Sequence, residues 1–406
     1  MVDCIELTQK LIRCPSITPE QAGSLDVLAE VLTTLGFRCQ RLPFGDVDNL
    51  YARRGNALPN FCFAGHIDVV PIFQENLWSH PPFAATIADE IMYGRGAVDM
   101  KGAIAAFIAA VAGFLQKQEY PGSISLLITS DEEGPATHGT IQVLKALKDQ
   151  GETLSVCLVG EPTCTTLVGD TLKVGRRGSL NADVSAQGTS GHVAYPHLAK
   201  NAIPILLEFL ARLTAAPLDA GCPLFDPSNL EIISVDVGNA TYNVIPAQAT
   251  ARINIRFNPL HTSITLMEWL QSKINGLPIE LTLVSTAESF HGGAGTDLVD
   301  CLQIAIEQVT GSRPILSTSG GTSDARFIKD FCPVIECGLL NTTAHKVDER
   351  VTLQDLQVLQ QIYQQILVNF FNLISLRTFT PLNFVTIRML ILKSFVVGLT
   401  IPNKEQ

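Results

Sequence analysis

The chain is poor in charge, and poorer still in positive charge. Only 17% of its 406 residues are Asp, Glu, Lys or Arg, and 28 basic against 39 acidic residues leave a net charge of −11. With no basic excess to neutralise phosphates, a nucleic-acid partner is not expected. A few local arginines still suffice for a small anion. The ten cysteines form no C-x-x-C pair and keep no regular spacing. They read as small core residues in a reducing compartment, not as a disulfide framework. The opening MVDCIELTQK has acids where a signal peptide carries basic residues, and no apolar run follows. A cytoplasmic protein is expected. Internal repeats and low-complexity linkers are also lacking.

What is abundant is apolar. Hydrophobic residues make up 46% of the chain, enough for a large core, and the length points to two domains. Residues 3–13 read as a first helix opened by Asp3, and Ser24 to Leu35 as a second stopped by Gly36. Strands are expected near 37–43, 49–54 and 60–65, and a helix of small residues from Ala103 to Leu115. After about residue 178 the pattern changes. Strand-like segments at 181–188, 230–237, 249–257 and 279–285, with helices at Ala199–Leu213 and 263–274, form a small α+β unit resembling an insertion. Helix–strand alternation then resumes and ends in a long amphipathic helix, Leu353 to Phe371. The stretch Leu382 to Ile401 is strongly apolar, but Arg388 and Lys393 inside it make membrane insertion costly. A packed or poorly ordered tail is expected there, and a membrane contact is the less favoured alternative.

The chemistry collects at segment ends. The apolar run Phe61–Ala64 reads as a buried strand that leads through Gly65 to His66 and Asp68. Ligands gather just beyond the carboxyl ends of strands in open α/β sheets. Asp68 is placed to orient a metal-bound His66. Asp99 lies just before the Ala103–Leu115 helix, at its positive end. SISLLITSDEEG (123–134) is a strand ending in three acids, which need a cation if they share a site. LSVCLVGEP (154–162) ends in Glu161. His345, in NTTAHKVDER, is the second histidine in a motif-like context. His80, His138, His197, His261 and His291 are taken as structural or surface residues. Two histidines with three or four carboxylates suit two Zn²⁺ ions sharing a carboxylate, with Co²⁺ or Mn²⁺ as substitutes. A further carboxylate then serves as general base. The chemistry implied is hydrolysis of an amide or peptide bond.

These residues carry a resemblance. AGHIDVVP (64–71), GRGAVDMKG (94–102), TSDEEG (129–134), VGEP (159–162), KVGRRGSL (173–180), GHVAYPHLAKNAI (191–203), NVIPA (243–247), SGGTSDARF (319–327) and AHKVDE (344–349) run in the order of the di-zinc aminoacylase and carboxypeptidase superfamily. The chain resembles that family over roughly residues 1–375. The resemblance implies an α/β fold: a di-zinc peptidase-like catalytic domain with a mixed central sheet (1–178 and 293–376), an inserted α+β dimerisation or lid domain (179–292), and an apolar C-terminal tail of unknown role (377–406). It implies that His66 and Glu161 complete one zinc site, Glu133 and His345 the other, and that Asp99 bridges them. Glu132 would be the general acid/base and Asp68 the orienting acid. His192 would reach into the partner's site of a homodimer to stabilise the oxyanion.

The basic residues bear on the substrate. Arg177, Asn243 and Arg256 resemble the family's carboxylate-binding set, and arginine forks suit that task. Gly320, Gly321, Thr322 and Ser323 resemble the loop that contacts the substrate backbone. An N-succinyl amino acid is therefore the expected small-molecule substrate. The alternatives are an N-acetyl or other N-acyl amino acid and, more remotely, a non-catalytic dimeric binding protein. Ile67, Val98 and Ala344 depart from the family's usual residues without removing a ligand.

Overall fold

Two largely apolar runs become the fully buried strands Asn60–His66 and Ser123–Thr129 of a computed structural model. Such strands lack polar alternation because both faces are covered. The structure describes residues 2–117, 119–293 and 295–379, with side chains up to 374, so the stretch Leu382 to Ile401 lies outside the described residues. The chain divides into two compact units. The first takes the chain up to Asp170, then Asp297–Pro314, then the chain from Gly338 onward. The second takes Thr171–Thr296 and Ile315–Cys337.

In the first unit a mixed sheet runs in the order Arg38–Arg41, Leu50–Arg54, Ser123–Thr129, Asn60–His66, Val156–Val159. The first three pair antiparallel, and the last three are parallel. Parallel pairing sets His66 opposite Thr129 and Ala64 opposite Val159. The carboxyl ends of three strands therefore share one edge, and the segments that leave it carry Asp68, Glu132, Glu133 and Glu161.

The first helix, Cys4–Ile12, starts at Asp3, whose carboxylate accepts the N–H groups of Ile5 and Glu6 at 2.8 and 3.2 Å. That contact satisfies two of the orphan donors of a helix start. The helix Lys101–Leu115 buries nearly its whole circumference. Phe107 stacks on Phe63 with ring centroids 4.2 Å apart, and Tyr363 of the helix Leu353–Phe379 meets both rings edge-on. Truncating such a buried aromatic costs about 3–5 kcal/mol. The last helix runs past the expected Phe371, because its apolar stripe continues through Leu373. A small antiparallel sheet orders Arg350–Thr352, Ile91–Tyr93 and Thr86–Ala88. Among the described residues no helix is long and apolar enough to cross a membrane.

The second unit holds a 4-stranded antiparallel sheet in the order Asn229–Asp236, Gln248–Phe257, Gly178–Gln187, Ile279–Ala287. Its central strands alternate, and Leu180, Ala182, Val184, Ile253 and Ile255 pack with Leu206, Phe209 and Leu266 of the helices Ala202–Leu213 and Ser263–Ile274. The unit also takes in short strands outside the segment 179–292. Ile315–Ser317 pairs in parallel with Thr171–Lys173, which Val334–Glu336 meets from its other side.

Candidate active site

At the shared strand edge of the first unit, four carboxylates converge on two imidazoles. His66 Nε2 lies 3.2 Å from Asp99 Oδ1 and 3.5 Å from Glu161 Oε1. His345 Nε2 lies 3.2 Å from Asp99 Oδ2 and 2.8 Å from Glu133 Oε1. Asp99 thus offers one oxygen to each ring, and each ring has a second carboxylate of its own. Glu132 joins the His66 side: donor atoms of His66, Glu132 and Glu161 lie within 4.8 Å of one another, as do those of His66, Asp99 and Glu133.

The electrostatics follow from the crowding. Burial opposes charge on His66, yet the hydrogen bond to Asp99 and the charges of Glu161, Asp99 and Glu132 hold its pKa well above the ordinary histidine value. The His345 pKa is raised to about 10, first by its hydrogen bonds to Asp99 and Glu133. Burial pushes Asp99 up, but the hydrogen bonds and charges of both histidines outweigh it and bring its pKa below the usual carboxylate range. So dense a set of acids demands cations. The donors are imidazole nitrogen and carboxylate oxygen with no thiolate, and one carboxylate faces both sides. This donor set fits a pair of Zn²⁺-type ions.

Two acids prove to be turn organisers. His66 Nδ1 meets the Asp68 main-chain carbonyl at 2.9 Å, while the Asp68 carboxylate stands 3.7 Å away. The carbonyl fixes the ring and leaves Nε2 facing the cluster. The Asp68 carboxylate instead accepts the N–H groups of Glu132 and Glu133. Asp131, the first of the three consecutive acids, points away and accepts the N–H groups of Ala136 and His138 at 3.1 and 2.9 Å. Glu161 is fixed by close backbone packing. A Cβ on Gly338 would lie 2.3 Å from the Glu161 carbonyl oxygen, so that position tolerates no side chain.

Two residues that the sequence reading did not single out sit behind the cluster, Glu349 and Arg95. Both are buried and joined at 2.8 Å. Their signal was only that they lie in the same short motifs as His345 and Asp99.

The remaining expected site residues belong to the second unit and form three groups. His192 pairs with Val244, beside Asn243, and its Nδ1 accepts the Ala194 N–H at 3.0 Å. With Nδ1 taken as acceptor, Nε2 is the ring nitrogen left to donate, on an exposed residue. Arg256 pairs across the sheet with both Ser179 and Asn229, and Arg177 Nη1 donates to Asn229 at 3.0 Å. Burial and then the Arg177 charge lower the Arg256 pKa. Two cations so close favour an anion between them. Gly320, at φ +106°, leads the Gly320–Ser323 loop, and a Cβ there would lie 2.5 Å from Arg176 Nη1. Ser323 donates to buried Glu336, which also pairs with Arg176. Thr322 accepts from Arg326 at 3.1 Å, and Gly321 has open space at its Cα. Of the histidines taken as structural, His261 pairs with Asp219 at 3.0 Å and His291 packs edge-on against Phe225.

Comparison with known proteins gives a consistent assignment. The model of peptidase family M20/M25/M40 matches residues 62–369. A succinyl-diaminopimelate desuccinylase of Maricaulis maris is 54% identical over 373 residues, covering 90% of this chain and 95% of its own. One of Rhodospirillum centenum is 53% identical over 377 residues, covering 91% and 97%. Among solved structures, the M20 family metallo-carboxypeptidase Sso-CP2 from Sulfolobus solfataricus shares the fold at a TM-score of 0.74 and 17% identity, covering 90% of this chain and 99% of its own.

Proposed function

The chain belongs to peptidase family M20/M25/M40, and on that premise we infer that it is a metal-dependent amidohydrolase of N-succinyl-LL-2,6-diaminopimelate. Its products are succinate and LL-2,6-diaminopimelate, a lysine and cell-wall precursor. The observation that carries this reading is the extent of the match to the desuccinylases, which spans both units and every motif of the site. Acetylornithine deacetylase chemistry has no comparable support.

His66, Asp99, Glu133, Glu161 and His345 would hold two Zn²⁺ ions, or Co²⁺ in their place, and such ions would supply Lewis acidity toward the scissile carbonyl and the attacking water. Glu132 takes a proton from that water as its oxygen bonds to the amide carbon. It then returns the proton to the nitrogen as the C–N bond breaks. Asp68 keeps Glu132 and Glu133 in register by holding their N–H groups. Arg177 and Arg256, with Asn243, bind the free carboxylate of the succinyl group. The Gly320–Ser323 loop lies against the substrate backbone. In a cytoplasmic homodimer built through the segment 179–292, His192 of one subunit serves the other's oxyanion through Nε2–H. The tautomer set by Ala194 supports that role.

The test is hydrolysis of N-succinyl-LL-2,6-diaminopimelate and of N-acetylornithine by zinc-loaded protein. The succinyl compound is expected to be the faster substrate. Glu132→Gln is expected to lose about 10²–10⁴-fold in turnover while keeping its zinc. Faster acetyl cleavage would move the substrate, and no turnover on either by zinc-bound protein would overturn the reading.

A further inference from the structure

Glu349 has no exposed surface, and its carboxylate is fully engaged. Oε2 accepts from Arg95 Nη1 at 2.8 Å. Oε1 accepts the main-chain N–H groups of Val98 at 3.0 Å and Asp99 at 3.2 Å. Arg95, equally buried, turns Nη2 to the His345 carbonyl at 3.4 Å and lies over the Trp78 ring at 5.2 Å. One ion pair thus touches the backbones of Asp99 and His345, two of the three residues around the second metal position.

The local fold brings this about. Strand pairing sets Arg350 opposite Tyr93, which carries Glu349 beside the turn 94–99. The Gly94 N–H donates to the Glu349 carbonyl at 2.9 Å. The His345 backbone stands at φ +61°, a left-handed conformation that a non-glycine residue keeps only when its surroundings hold it. Stability alone is a poor reason for the pair, since well-packed apolar residues commonly do as well as a buried ion pair. Geometry is a better one. The Asp99 carboxylate serves two imidazoles at once, so a displacement of its backbone by a few tenths of an ångström is felt on both sides.

Resting on the reading of this cluster as a two-metal centre, we propose that Glu349 and Arg95 are positioning residues that set the placement of Asp99 relative to His345, and with it the affinity and geometry of the second metal position. Neither residue touches substrate. Both act through the main chain of the ligands.

The test uses the full chain, freed of metal and titrated with Zn²⁺ against a chromophoric chelator, and then with Co²⁺ while visible absorption is recorded. Glu349→Gln keeps an acceptor for the amides but breaks the ion pair. Arg95→Lys keeps the charge but loses the fork that reaches His345. Each is expected to bind one of two Zn²⁺ equivalents roughly 10–100-fold more weakly. Each should also shift the Co²⁺ bands of that equivalent and lower kcat with KM little changed. Wild-type affinity and spectrum in either folded variant would overturn the inference. So would loss of the melting transition in both, since the pair would then hold up the whole unit. A wild-type chain that takes up no Zn²⁺ would instead overturn the two-metal reading itself.

Discussion

The carboxylate of Asp68 accepts the main-chain N–H of Glu133 at 3.0 Å. With the neighbouring Glu132 N–H on the same oxygen at 3.2 Å, one buried side chain sets the direction in which two consecutive glutamates leave the strand.

Asp68→Ala leaves two amides without an acceptor. The expected cost is about 2 kcal/mol of stability and roughly 10–100-fold in metal affinity, with turnover falling in step. Asp68→Asn retains one acceptor and is expected to lose less. Thermal melts and zinc titrations of both variants check this. Equal losses in the two would show that charge, not the turn, is what matters.

Gly338→Ala drives a methyl group against the carbonyl oxygens of Glu161 and Gly160, at 2.3 and 2.4 Å. The backbone must give way, at about 1–3 kcal/mol, and Glu161 moves with it. Urea denaturation should show the loss, and one zinc equivalent should weaken. An unaltered zinc titration would mean that Glu161 holds its place without this contact.

Asp219 carries a pH dependence unrelated to the metal centre. Burial pushes its pKa up, but hydrogen bonds from Ser228, Gly221 and Asn258 outweigh that and lower it to about 2. Its folded pKa lies below the ordinary value near 4, so the stability it lends is present above pH ~4 and is lost as pH falls toward 2. Asp219→Asn is expected to destabilise the protein at pH 7 by about 1–2 kcal/mol and to flatten stability between pH ~4 and ~2. Denaturation midpoints across that range measure it. A variant as steep as the wild type would assign the acid sensitivity elsewhere.

How much of this was legible beforehand depends on whether a residue's partner lay nearby in sequence. His66 and Glu161 stood out because an apolar run that stops at a polar group marks a strand end, and parallel pairing then brings such ends together. The α/β class follows from the same runs, whereas the mixed sheet was implied by the family resemblance. The Asp68 carboxylate was expected at the His66 ring, yet the residue's own carbonyl takes that place. Sequence gives residue type, not which of two acceptors is nearer. Pattern alone did not separate Asp131 from Glu132 and Glu133, which only the family resemblance singled out, because the turn that follows decides which acids face inward. Glu349 lies in a stretch as polar as HKVDER, where nothing local marks a buried residue. Its burial comes from strand pairing with residues some 250 positions away, which no local pattern encodes.

The scatter of the site along the chain also dictates an order in time. His66, Asp99, Glu132, Glu133 and Glu161 are all joined to the growing chain before the second unit begins at Thr171. His345 follows roughly 180 residues after Glu161, about 10–40 s later at ordinary translation rates. For that interval the nascent chain carries a cluster of acids with a single imidazole among them and nothing at the position His345 will fill. The centre is therefore completed only after the second unit has been made, and Glu349, which holds the Asp99 main chain, arrives later still.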